Sequence, residues 1–136
     1  MDHPTQAVIV PGRLDDAARQ AYAVAFGARC DTSGGLGTME DELTGASLFD
    51  VQVAGVTVLR YALRTIQREK GAETFIVAAA GGMPGVDMTA TITPFIETQC
   101  ANVDRLTINT RRPGLVKKLK AQGWSLDSYV MRKKLK

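Results

Sequence analysis

The stretch Glu73–Thr89, ETFIVAAAGGMPGVDMT, decides the fold. Its first part, Glu73–Ala80, is a nearly continuous apolar run of strand length, the pattern of a strand buried on both faces. Gly81–Asp87 (GGMPGVD) then breaks the run. Glycines at 81, 82 and 85 allow backbone angles and close approaches that other residues resist. A helix is predicted from Met88 to about Val103, with Asp87 at its mouth. Pro94 falls inside it, so Pro94 either kinks the helix or marks its true start with Thr93 as N-cap.

Downstream, Arg105–Thr110 (RLTINT) reads as a further strand. Pro113 suits the first turn of the next helix, which runs through Leu115, Val116 and Leu119 and stops at Gly123. Trp124–Leu135 reads as a last strand, with Trp124 packed on the sheet. Upstream, Val56–Ile66 is a long β-branched strand, joined to Phe49–Val53 by a tight turn at Ala54-Gly55. Glu69–Ala72 turns the chain into the deciding strand. Thr38–Leu43 forms a short helix, with Thr38 as N-cap and Asp41 three positions on. Asp31–Gly37 (DTSGGLG) is a loop. Leu14–Phe26 has helical spacing, with Asp15 and Asp16 in the first turn and Gly27 as its stop. Gln6–Val10, ended by Pro11-Gly12, is a first strand. The predicted order is β-α-α-β-β-β-α-β-α-β: one α/β domain over residues 1–136, with a mixed sheet and helices on both faces.

Composition excludes several classes. The 136 residues suit one domain, and 45% hydrophobic with 23% charged residues is ordinary for a globular protein. Aromatics make up only 6%, so aliphatic residues build the core. Cys30 and Cys100 form neither a disulfide framework nor a metal site. Cys100 reads as a small apolar residue in a helix, and nothing near Cys30 activates it. The single histidine, His3, sits beside the N-terminus, which argues against a Ser–His or Cys–His nucleophile. No stretch reaches the ~20 apolar residues of a membrane span and no signal peptide opens the chain, so a cytoplasmic location is expected. The net charge of +3 is uneven. Residues 111–136 carry nine basic residues against Asp127 alone, a net +8, and residues 1–110 carry −5. The basic end is a solvated edge or a contact for a phosphate-bearing ligand. Few aromatics interleave with it, so nucleic acid is not expected. An exposed sheet edge allows a homodimer or a protein partner.

The order of elements resembles that of the GNAT family of acetyl-CoA-dependent N-acyltransferases. The likeness lies in the long third strand, the buried fourth strand ending in glycines at a helix, and the segment Leu106–Trp124 (LTINTRRPGLVKKLKAQGW) closed by Gly123-Trp124. The chain also looks like short GNAT-like proteins of bacteriophages and prophages. The resemblance implies that acetyl-CoA is the cofactor and an amine the acceptor. The glycine turn and the helix N-terminus would face the pyrophosphate, through Gly81, Gly82, Gly85 and Val86. The edge at Ile76–Ala80 would pair with the pantetheine arm, and the N–H groups near Val77, Ala78 and Ala79 would stabilise the oxyanion. Arg112 would contact a ligand phosphate.

The resemblance also implies a base on the fourth strand, where Glu73 is the only acid; Asp50 is a second candidate. Leu119 stands where many family members carry a proton-donating tyrosine, so Tyr129, Tyr61 or water would protonate the leaving thiolate. The family's phosphate motif is absent, Pro84 lacks an N–H, and Asp87 sets a carboxylate at the helix mouth. The alternative reading is a non-catalytic GNAT-like protein that works by binding or as a structural component, including one encoded by a phage.

Overall fold

A computed structural model describes residues 6–27 and 30–136. Five strands form one sheet in sequence order: β1 (Ala7–Pro11), β2 (Ser47–Val53), β3 (Val56–Arg68), β4 (Gly71–Gly81) and β5 (Arg105–Thr107). The first four run antiparallel and β5 joins β4 in parallel. The helices are α1 (Asp16–Ala25), α2 (Met39–Leu43), α3 (Met88–Gln99) and α4 (Pro113–Ala121). The predicted α/β mixed sheet with helices on both faces is present. His3 lies outside the described residues.

Local chemistry explains the elements. Ala54 and Gly55 both take positive φ, +53° and +79°, the backbone that a two-residue hairpin needs to match strand twist. Asp15 caps α1 by accepting from Ala18 N at 2.8 Å. Thr38 and Asp41 complete a capping box on α2, each side chain accepting from the other's backbone N–H. Gly123 takes φ +92°, which turns Trp124 N back to Leu119 O at 3.0 Å and Gly123 N to Lys120 O at 3.1 Å. That pair of bonds is the Schellman closure of α4, and it lays Trp124 on the core as expected.

The two faces of the sheet carry different cores. On one face, Val51, Leu59, Tyr61, Leu63 and Ile76 pack against Ile92 and Ile96 of α3. On the other, Ala62 and Ala78 pack against Ala18 and Tyr22 of α1 and Leu43 of α2. Small residues at 62 and 78 let α1 approach closely. The Tyr22 hydroxyl lies near Asp50 and Arg60 and finds no hydrogen-bond partner among the described residues. An unpartnered buried hydroxyl destabilises its own fold. Tyr22→Phe is therefore expected to leave the melting temperature unchanged or raise it. A loss above about 1 kcal/mol would instead mean that an ordered water serves the hydroxyl.

Three sequence expectations need correction. The helix α3 ends at Gln99, not Val103, and Pro94 sits inside it without marking its start. The strand β5 ends at Thr107, not Thr110, because the chain there leaves β4. Trp124–Leu135 forms no strand. A strand needs a partner edge, and three residues of β5 offer too short a ladder to hold a twelve-residue neighbour. The tail runs past β5 at a distance, leaving a cleft of about 1000 Å³ between them. Tyr129, Met131 and Leu135 are exposed along the tail.

Candidate functional site

Strands β4 and β5 pair only at Glu73↔Arg105, Thr74↔Leu106 and Phe75↔Thr107. Beyond that point they diverge, and β4 continues to Gly81 without a strand on that side. The same stretch of β4 is bulged. Ala62 faces Ala78 and Leu63 faces Ile76, so Val77 has no partner on β3. A bulge turns a strand locally and releases backbone groups from the ladder. The result is a wedge whose one wall, Ile76–Gly81, presents unpaired N–H and C=O groups. Val77, Ala78 and Ala79 stand on this wall.

The wedge ends in the glycine turn. Gly81 has φ +106°, and a Cβ there would stand 2.5 Å from Val58 O. That closeness lets Gly82 N donate to Val58 O at 2.7 Å. Val86 N donates to Met83 O, and Ala90 N to the Asp87 carboxylate. Among the described residues, the amides of Met83, Gly85, Asp87, Met88 and Thr89 have no protein acceptor. Gly85 has φ +73° with open space around it. Asp87 is the N-cap of α3, and Lys118 of α4 lies 3.8 Å from its carboxylate. Both α3 and α4 begin at the strand ends where β4 and β5 part. That is where ligands sit in open parallel sheets, since both helix N-termini point there. Arg112 is the N-cap of α4 and is exposed at this end.

The proposed acids and bases are scattered. Glu73 is buried beneath the wedge with both carboxylate oxygens committed. It accepts from Thr107 Oγ1 at 2.7 Å, from Arg68 Nη2 at 3.2 Å, and from Arg105 Nε. The bond from Thr107, then that from Arg105, holds its carboxyl below the usual glutamate range, while burial opposes them. Asp50 faces Arg60 at 3.7 Å on the α1 side, and burial pushes its pKa up. Tyr61 is buried in the core, its hydroxyl donates to Gln99, and burial pushes its pKa up to about 12. Tyr129 lines the outer cleft beside β5 and is 86% exposed. None of these four lines the small cavity that Val77 lines.

A second, smaller cavity of about 230 Å³ lies on the α2 side of the wedge. Its lining includes Thr32, Glu42, Arg64, Phe75, Val77 and Asn109. Glu42 and Arg64 come from α2 and β3, and only the tertiary fold brings them to the bulge. Thr32 of the loop Asp31–Gly37 lines both cavities. The Asp31 carboxylate shapes the loop by accepting from Ser33 N, Ser33 Oγ and Gly35 N. The Arg132 guanidinium ties it to the tail through Thr32 O.

No group of acids, cysteines and histidines able to hold a metal occurs among the described residues. No helix there is long and apolar enough to cross a membrane. No protein-family model matches the chain, and no curated protein is similar to it in sequence. Solved structures are similar over nearly the whole chain. A possible acetyltransferase from Clostridium difficile 630 matches with a TM-score of 0.64 at 15% identity, over 95% of this chain and 97% of that one. A ribosomal-protein-alanine N-acetyltransferase from Brucella melitensis biovar Abortus 2308 matches with 0.61 at 17% identity, over 94% and 100%. A glucosamine-6-phosphate N-acetyltransferase from Arabidopsis thaliana matches with 0.64 at 11% identity, over 96% and 99%. The identities are low and the coverage is nearly complete, so what the chain shares with these proteins is architecture: it has the GNAT acetyltransferase fold.

Proposed function

We propose that the chain is an acyl-CoA-dependent N-acyltransferase that binds its cofactor in the wedge between β4 and β5. The carrying observation is the open wall Ile76–Gly81, freed by the parting of the strands after Phe75 and Thr107 and by the bulge at Val77. A ligand arm that carries amides can pair with such an edge as a strand does. The residues at the turn fit a pyrophosphate. Five amides lack protein acceptors among the described residues, Gly85 leaves room for close approach, and Lys118 offsets the Asp87 charge. Gly81, Gly82, Gly85 and Val86 would shape that cradle, and Arg112 at the α4 N-terminus would meet a phosphate.

When bound, acyl-CoA supplies the thioester on which an amine acts. The N–H groups of Val77–Ala79 would stabilise the charge that develops on the carbonyl oxygen. This reading needs no protein nucleophile, in keeping with a chain whose one histidine is at position 3. An aminoglycoside acetyltransferase of similar structure is solved in complex with sisomicin, which carries amines.

Two observations favour a second reading, a GNAT-fold protein that binds without catalysis. The Asp87 carboxylate occupies Ala90 N at the α3 mouth, and Leu119 is buried where an acid would serve. Thermal melts with acetyl-CoA, CoA and longer acyl-CoAs separate the readings. At 100 times Kd, binding adds about 2.7 kcal/mol, a rise of about 9 °C for a domain of this size. A rise accompanied by acyl transfer to amines supports the enzyme. A rise without transfer supports the binder. No rise at millimolar ligand removes the cofactor.

A further inference from the structure

We infer that the 230 Å³ cavity on the α2 side of the wedge is an acceptor site for a compact amphoteric amine. Such a molecule carries an ammonium and an anionic group, as an amino acid or an aminosulfonate does. Glu42 would hold the ammonium and Arg64 the anion. The assignment of an acceptor rests on the acyltransferase reading, but the ligand chemistry rests on the cavity alone.

Glu42 is half-buried and lines the cavity, with no ion pair or side-chain hydrogen bond among the described residues. The other acids of α2 are occupied: Glu40 by Arg19 and Asp41 in the capping box. A half-buried carboxylate without a partner costs free energy, which a cationic ligand would relieve. Arg64 is held in place from behind. Its Nη2 donates to Glu42 O and to Thr44 O, the latter at 2.8 Å, where it closes the C-terminal end of α2. A guanidinium has five N–H donors, and among the described residues Nε and Nη1 have no acceptor. A guanidinium already fixed loses little freedom on taking an anion in a fork.

Opposite charges that line one small cavity without pairing to each other match a ligand that carries both. A polycation would meet Arg64, and a simple carboxylate would meet Glu42. The cavity also selects by size, being far smaller than the cleft beside β5. Phe75, Ile76 and Val77 of β4 and Ile66 of β3 also line it, so an amine held at Glu42 lies beside the bulge.

The test is an NMR titration of the full chain with the common amino acids and taurine at millimolar concentration. N-acetyl-L-alanine and L-alaninamide serve as controls that lack the ammonium and the anion, respectively. At least one amphoteric probe is expected to saturate, with shifts at Glu42, Val77 and Asn109. It should bind at least tenfold more tightly than either control made from it. Glu42→Gln and Arg64→Met are each expected to weaken it tenfold or more. Arg64→Lys, which keeps the charge and the support of α2, is expected to retain part of the affinity with an unchanged melting temperature.

The proposal is overturned if no amphoteric probe saturates. It is overturned equally if a control binds as well as its parent, or if Glu42→Gln and Arg64→Lys both bind like the wild type. Acetyl-CoA binding is read separately by thermal shift. Amino-acid binding without acetyl-CoA binding removes the acyltransferase reading and leaves this site. The reverse removes this site and leaves the cofactor.

Discussion

Gly81→Val is expected to lower the melting temperature by about 10 °C, corresponding to about 3 kcal/mol for a domain of this length. Two costs add. Gly81 has φ +106°, a conformation that an L side chain adopts only under strain of about 1–2 kcal/mol. A Cβ there would stand 2.5 Å from Val58 O and 3.2 Å from Leu59 Cα. Both atoms are backbone, so no side chain can swing away. Relief would have to come from parting β3 and β4 at their open end, which breaks the bond from Gly82 N to Val58 O at 2.7 Å.

Gly85→Val is the control, because Gly85 also has positive φ but meets nothing within 4 Å. Its expected cost is about 1–2 kcal/mol, the conformational part alone. Differential scanning calorimetry on the two variants separates contact from conformation. Equal losses would show that the approach of Val58 O contributes nothing and that only φ matters. The same geometry makes a joint prediction for ligand binding. If the turn cradles phosphate, Gly85→Val blocks the open side and weakens acetyl-CoA more than it weakens the fold.

The deciding stretch was legible because its signals are local. A run of apolar residues, three glycines and an N-cap aspartate specify a strand, a turn and a helix start without reference to the rest of the chain. Thr38 with Asp41, Ala54 with Gly55, and Gly123 with Trp124 were legible for the same reason. What failed was non-local. Trp124–Leu135 has the composition of a strand, but a strand exists only against an edge, and β5 stops at Thr107. The divergence of β4 from β5 is what shortens β5, so the feature that opens the wedge also denies the tail its partner.

The wall proposed for the cofactor was legible in the sequence, and the cavity proposed for the acceptor was less so. Val77–Ala79 and Gly81–Val86 are consecutive, so one motif names them. Glu42 and Arg64 are 22 residues apart on different elements, and only the bond from Arg64 to the carbonyl of Glu42 joins them. A sequence signal did exist in the acidic run Glu40-Asp41-Glu42. Its first two members have evident structural duties, one in an ion pair and one in a cap, and the third does not.

Glu73→Gln is the second large effect, and its outcome decides what Glu73 is for. The side chain stands on β4, 4% exposed, and it fastens β5 to the sheet from below. Thr107 and Arg105 both belong to β5, and Arg68 closes the carboxylate from β3. Only three residue pairs join β5 to β4, so these bonds are a large share of what keeps β5 in place. Loss of the carboxylate is expected to lower the melting temperature at neutral pH and to speed amide exchange at Leu106 and Thr107 more than in β2 or β3. The sign with pH follows from the lowered pKa. Thr107, then Arg105, hold the folded-state carboxyl below its unfolded value of about 4.3. The stabilisation is therefore complete above that value and is lost as the pH falls through the folded one. The gap between wild type and Glu73→Gln is expected to be constant near neutrality and to close below about pH 4. A gap that stays the same in acid would assign it to packing, not to charge. If Glu73 were instead the base that accepts the amine's proton, the substitution would abolish acyl transfer while leaving the exchange of β5 unchanged. A carboxylate already holding two guanidinium groups and a hydroxyl is a poor proton acceptor, so the opposite pattern is expected: a loosened β5, and transfer reduced only as far as the wedge loses its shape.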